Sequence, residues 1–231
     1  MAKQHGAVAA AMAGVGLWAL YRWHTRPWMY TWGANAQTRA DLPGDELVVS
    51  GTPSTTRAVT IAAPPEAVWP WLAQIGENHA GFYSYSILER LAGARIHNAN
   101  VVNPEWQELR VGDTIWLAKR YGNRARQVVA AVEPNSHLVL MSPSDFARVQ
   151  RGQKASGAWR FCLRRTDAGT RLVVRGSGGP AGQAAFDVIH FVMERRMMKG
   201  IRSRAERYPP CGIGSNTGGD LPSAELRSVS P

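Results

Sequence analysis

The sequence is poor in several things, and each shortage removes a class of protein. Its 231 residues hold only two cysteines, Cys162 and Cys211. Two cannot build a disulfide-rich scaffold or a cysteine-based zinc cluster, and they leave the redox compartment open. No His-x-x-x-His pair occurs; His79, His97, His137 and His190 are scattered. No metal site and no cofactor is expected. The glycine-rich stretch Gly176-Ser177-Gly178-Gly179 follows a strand and runs into Pro180, the setting of a plain loop rather than a phosphate cradle. Acid is scarce as well. There are 17 Asp and Glu against 27 Lys and Arg, a net charge of +10, and residues 1–40 contain no acid. Such an excess favours anionic partners, either lipid headgroups or nucleic acid. Zinc-finger spacing, an aromatic RNA-binding signature and a helix-turn-helix pattern are all missing, so nucleic acid is not expected.

A long hydrophobic run is also lacking. The uncharged run from Gly6 to Tyr21 makes a helix of roughly 24 Å, short of a hydrocarbon core about 30 Å thick. Three readings compete. In the leading one, residues 6–32 form a short membrane anchor, with Trp18, Tyr21, Trp23, Trp28, Tyr30 and Trp32 as an interfacial belt and Arg22 and Arg26 snorkelling. A signal peptide is the second, although no small-x-small cleavage site follows. The third is a helix docked on the protein body. The balance of Lys3 against Arg22 and Arg26 leans only slightly toward a cytoplasmic body, membrane-associated in the first reading and soluble in the third.

What is present is a globular composition, 45% hydrophobic and 19% charged. Four segments are expected: 1–32 hydrophobic and aromatic, 33–56 a polar connector, 57–207 the folded domain, and 208–231 a disordered tail rich in Gly, Pro and Ser. Arg57–Ala62 alternates as a strand. Pro64-Pro65-Glu66 opens a helix whose stripe is Val68, Trp71, Leu72 and Ile75, ending near Gly76. A second short helix is expected from Ser84 to Leu91. Period-2 segments follow at 113–119, 125–133, 137–141, 155–165 and 170–176, separated by turn residues. In the fourth, Trp159, Phe161 and Leu163 face one way and Ala158, Arg160, Cys162 and Arg164 the other. The sheet thus has one apolar face and one wet, basic face. Residues 184–207 read as one long amphipathic helix with Phe186, Ile189, Met193, Met197 and Ile201 inward and Glu194, Arg195, Lys199 and Arg202 outward. Asp187 and Glu194 are expected to pair with arginines along the same helix. The fold class is α+β: a curved antiparallel sheet wrapped around a long C-terminal helix, with two short helices after the first strand. A bent sheet holding one helix tends to leave space between them.

Particular residues carry a family resemblance: Ile61 through Leu72 (IAAPPEAVWPWL), Gly81-Phe82-Tyr83-Ser84-Tyr85 with Leu88-Glu89-Arg90, and the Val111-Gly112-Asp113 turn. On these the chain resembles the START-like (SRPBCC) superfamily of helix-grip proteins, the polyketide cyclase/dehydrase and lipid transport group. Trp32-Gly33-Ala34 and Leu42 through Leu47 resemble small bacterial members with an N-terminal hydrophobic segment. The resemblance covers about 57–207 and speaks for fold, since this fold carries binders, cyclases and hydrolases alike. It implies binding of a hydrophobic small molecule or lipid between sheet and helix, close to a membrane surface or bilayer met through 6–32. The lining residues would be Trp71, Tyr83, Trp116, Trp159, Phe161, Ile189, Met193 and Met197. These side chains serve equally well as plain core. The alternative is a polyketide cyclase/aromatase-type enzyme using Tyr83, Tyr85 or His190 as acid or base. Cys162 between Arg160 and Arg164 is either a lowered-pKa thiol or an inert strand residue.

Overall fold

The computed structural model describes residues 12–85, 98–178 and 184–207. The short helix expected over Ser84–Leu91 and the tail from 208 onward lie largely or wholly outside them. So do residues 1–11, with the start of the expected anchor.

Residues 12–30 form helix α1, which passes through a π-helical turn at Tyr21–Thr25 and ends in Arg26–Tyr30. Helix α2 (Ala36–Arg39) starts at Asn35, whose side chain accepts from the Thr38 N–H while the Thr38 hydroxyl accepts from the Asn35 N–H. The strands are β1 (Ser54–Ile61), β2 (Thr114–Trp116), β3 (Arg126–Glu133), β4 (His137–Met141), β5 (Ala158–Thr166) and β6 (Gly169–Ser177). Between β1 and β2 lies helix α3 (Pro65–Ala73). Between β4 and β5 lies α4 (Pro143–Gln150), which Ser142 caps by accepting from the Asp145 N–H and Pro143 opens. Helix α5 is Ala184–Arg207.

The six strands form one antiparallel sheet in the order β1-β6-β5-β4-β3-β2. Five consecutive strands follow hairpin fashion, and β1 returns beside the last of them. A register shift between Val129 and Ala131 bends β3. With α5 lying along the concave side, this is the helix-grip architecture implied by the START-like resemblance. The stripe Val68, Trp71, Leu72 and Ile75 is buried, and it packs with Ile61, Leu138, Leu140, Phe161, Leu172, Val174, Met197 and Ile201 into one core. Each such side chain contributes about 1.5–3 kcal/mol by leaving water.

The outer face of the sheet corrects an expectation. It is basic but not wet: Arg160 and Arg175 are buried beneath residues 36–49. Both arginines donate to the two carboxylate oxygens of Asp45. Arg175 also donates to the carbonyls of Thr38, Arg39 and Ala40 at 3.1–3.3 Å, the free acceptors where α2 ends. Leu42 packs with Ala58, Cys162 and Val173, and Val48 with Val139, Met141, Ala155 and Ala158. The connector is therefore a cover. A sheet with buried side chains on both faces needs two layers, and the acid that pairs with both outer arginines is carried by the second layer.

Candidate functional site

Strand alternation sets the inner face. On β1 the residues Val59 and Ile61 join the main core, and Arg57 has the same parity. Its side chain is fully buried where an apolar residue would ordinarily stand. Four groups account for that. Arg57 Nη1 donates to Glu194 on α5. His190 Nδ1 lies 3.3 Å from the same nitrogen. Arg57 Nε donates to the Met29 carbonyl at 2.7 Å. Its guanidinium carbon sits 5.2 Å from the Phe191 ring centre. Glu194 is completed by the Trp159 indole N–H at 2.8 Å. The result is a polar knot inside an aromatic setting, with Trp159 4.7 Å from Phe161, 6.2 Å from Phe82 and 6.5 Å from His190.

The inward face of α5 differs from the expected stripe. Asp187, Phe191, Glu194, Met197, Met198, Gly200, Ile201 and Ala205 are buried. Phe186, Val188, Ile189 and Val192 are exposed, Ile189 to 56%. The first half of the helix has turned its acids and Phe191 inward and Phe186, Val188, Ile189 and Val192 outward. The expected arginines of the same helix are not the partners found: Glu194 meets Arg57, with His190 Nε2 3.9 Å away one turn back, and Asp187 accepts from Arg26 Nε at 3.3 Å and the Tyr30 hydroxyl at 2.8 Å. Lone turn-to-turn charges gain little in water, whereas inward acids can reach partners on other elements.

The partners of Asp187 come from α1, which corrects part of the expected interfacial belt. Trp28 packs edge-on against Phe191 at 5.1 Å, Trp32 does so at 6.4 Å, and Arg195 lies 5.1 Å over Trp32. Met29 is buried, and the Ala58 N–H donates to the Trp32 carbonyl at 3.0 Å. Residues 26–32 are thus docked on β1 and α5. Upstream, Met12, Val15, Leu17, Trp18, Leu20 and Trp23 all remain more than half exposed. Among the described residues no helix is long and apolar enough to cross a membrane.

The other sequence-chosen residues scatter. Trp71 and Tyr83 stack edge-to-face at 6.0 Å beside Gln74, whose amide donates to the Tyr83 hydroxyl at 2.9 Å. Burial pushes the Tyr83 phenol well above its ordinary value, so its anion is disfavoured. Tyr85 is exposed, with Arg196 5.4 Å over its ring. His190 stacks on Phe186 at 5.5 Å. These three candidate acid–base groups have separate neighbours. Trp116 pairs with Arg126 on the far edge of the sheet, Met197 is wholly buried in the core, and Met193 is half-buried. Burial pushes the Cys162 thiol up despite nearby Arg164, which makes it a poor nucleophile. Arg57 and Glu194 were missed as a site. The signal was available: a charge in phase with Val59 and Ile61, and another in phase with Met198 and Ile201.

No family model and no curated protein matches this sequence. Solved structures do resemble it. A protein of Staphylococcus saprophyticus is 11% identical, with 68% of this chain and 94% of that one covered and a TM-score of 0.43. A Polyketide_cyc-like protein of Corynebacterium glutamicum is 17% identical over 70% and 92%, with a TM-score of 0.30. An AHSA1-like protein of Rhizobium etli is 18% identical over 79% and 98%, with a TM-score of 0.35. At such identities and TM-scores these likenesses say nothing of function. The helix-grip class rests on this chain's own strand order and on α5.

Proposed function

We propose that the protein binds a hydrophobic small molecule or lipid between its sheet and α5, working close to a membrane. The observation that carries the reading is the reversed polarity of α5 over residues 186–194. Its acids are consumed inside, Phe186, Val188, Ile189 and Val192 face out, and α1 exposes further apolar residues upstream of where it docks. A surface of this kind suits contact with lipid, since large exposed apolar patches mark interaction sites. The same helix presents half-buried His190 next to half-buried Trp159, and half-buried Met193, an aromatic and polarisable lining for an apolar guest. Affinity for such a guest grows by roughly 0.8 kcal/mol per buried CH₂.

The test is mass spectrometry of molecules carried by the protein after incubation with vesicles of bacterial lipid. Co-purifying lipid is expected, and Met193→Arg should remove it while the thermal transition is retained. Met197→Arg is not a fair variant, because Met197 stands in the closed core. Unchanged uptake in Met193→Arg, or no uptake by the parent, overturns the assignment. No feature of the site favours the cyclase reading, since Tyr83, Tyr85 and His190 do not share an environment.

A further inference from the structure

The inner face of the sheet contains one position without a side chain near the polar knot. Strand pairing sets Thr55 of β1, Gly176 of β6 and Trp159 of β5 in one row across the sheet. Arg57, Val174 and Phe161 form the next row. A methyl group at Gly176 would meet only the Thr55 hydroxyl at 3.4 Å and Trp159 Cδ1 at 3.9 Å. Glycine therefore leaves a notch floored by backbone and walled by a hydroxyl and an indole.

Two polar atoms on this face are unusual, one at the notch and one in the next row. Thr55 is 6% exposed and Arg57 is 0% exposed. Thr55 Oγ1 and Arg57 Nη2 are buried, and neither has a hydrogen-bond partner among the described residues. Buried polar side chains are nearly always paired, and an unpaired one costs about 1–3 kcal/mol. Two of them, two residues apart on the same face of one strand and beside a missing side chain, are arranged as a receptor for a polar atom brought from outside.

We propose that this notch holds the single oxygen function of the bound molecule, an alcohol or a carbonyl at the end or on the flank of an otherwise apolar body. Arg57 Nη2 donates to that oxygen. The Thr55 hydroxyl donates to a carbonyl and either donates to or accepts from an alcohol. Charge selects against a carboxylate. Arg57 already faces the Glu194 carboxylate, so the locus is neutral, and an added anion would lose its hydration without gaining a free counter-charge. Gly176 supplies the room, and Trp159 supplies an apolar wall for the carbon next to the oxygen. The inference rests on the pocket proposed above and narrows its ligand to neutral oxygenated apolar molecules.

Equilibrium dialysis of the full chain against decane, decanol and decanoate at neutral pH, read by gas chromatography, tests it. Decanol is expected to bind about tenfold more tightly than decane, the gain of a hydrogen bond to a charged donor. Decanoate should bind no more tightly than decane. Thr55→Val, close in shape and lacking the hydroxyl, should shrink the decanol advantage several-fold and leave decane unchanged. Gly176→Ala should weaken both by filling the notch. Near-ultraviolet circular dichroism verifies that each variant is folded. Equal binding of decane and decanol, tightest binding of decanoate, or an undiminished decanol advantage in folded Thr55→Val overturns this inference alone. Binding of none of the three by the parent protein overturns the pocket reading and this one with it.

Discussion

Arg57 and Glu194, 137 positions apart, form an ion pair with side chains 0% and 1% exposed. It joins the first strand to the last helix through the centre of the fold, and the Trp159 indole and the Met29 carbonyl complete it. Desolvating two charges offsets much of their attraction, so the pair as a whole adds little stability, but losing one member strands the other. Glu194→Ala should therefore cost about 3–5 kcal/mol. The double variant Arg57→Met/Glu194→Leu should recover most of that loss. Urea unfolding of the three species measures it, and a double variant no more stable than Glu194→Ala contradicts the explanation.

A close approach between helix and loop gives a second expectation. A methyl group at Gly200 of α5 would fall 2.5 Å from the Tyr83 carbonyl oxygen and 2.6 Å from its Cβ. Tyr83 cannot yield easily, since it already holds a left-handed φ of 55° with its N–H donating to Asn98. Gly200→Ala should destabilise by about 1–3 kcal/mol as an overpacking change. At Gly16 on α1 a methyl would meet nothing within 4 Å. Gly16→Ala should instead favour the helix by about 0.5–1 kcal/mol locally. Thermal melts read the first, and helical circular dichroism reads the second.

Acid should weaken the fold partly through His79. Burial lowers its pKa below the ordinary 6.5, ahead of the opposing effect of a hydrogen bond to the Ile75 backbone and the weaker effects of Lys119 and Asp113. The native state thus prefers the neutral ring, packed 5.5 Å from Trp106. The unfolded chain binds a proton first as pH falls. The His79 contribution is complete above 6.5 and is lost as pH falls through the folded value. In His79→Gln the urea midpoint should depend less steeply on pH below 6.5 than in the parent. An identical slope in the two proteins contradicts this.

Contact with a membrane should depend on the upstream part of α1. Leu17, Trp18 and Trp23 are 69%, 64% and 71% exposed, and residues 1–40 carry no acid. Trp18→Ser/Trp23→Ser should reduce binding to anionic vesicles at least tenfold, with less effect on neutral ones, because aromatic side chains anchor at the interface and basic residues attract anionic lipid. Flotation measures it. A stable dimer in solution that buries these tryptophans would assign the surface to a second copy of the chain instead.

Much of the architecture was legible locally. The alternation of Trp159, Phe161 and Leu163 against Arg160, Cys162 and Arg164 set the two faces of β5, and the range of α5 was readable from its helical spacing, because both periods are properties of a few neighbouring residues. The site was less legible, since it depends on what lies across the fold. Asp45 decides whether Arg160 and Arg175 can be buried, and Arg57, Arg26 and Tyr30 decide which way α5 faces. On periodicity alone Phe186, Ile189 and Met193 made the better inward stripe.

The amino-acid order by itself determined the six strands, α3 and α5, their succession and the inner and outer parity of the strands, because these follow from local sterics and side-chain period. Only the tertiary structure decided that α5 turns Asp187 and Glu194 inward, that residues 36–49 roof the basic face, and that the Thr55 hydroxyl and Trp159 wall the gap at Gly176. Each of these depends on charges and volumes that meet only after distant segments pack, where pairing a buried charge outweighs the burial of one more apolar side chain.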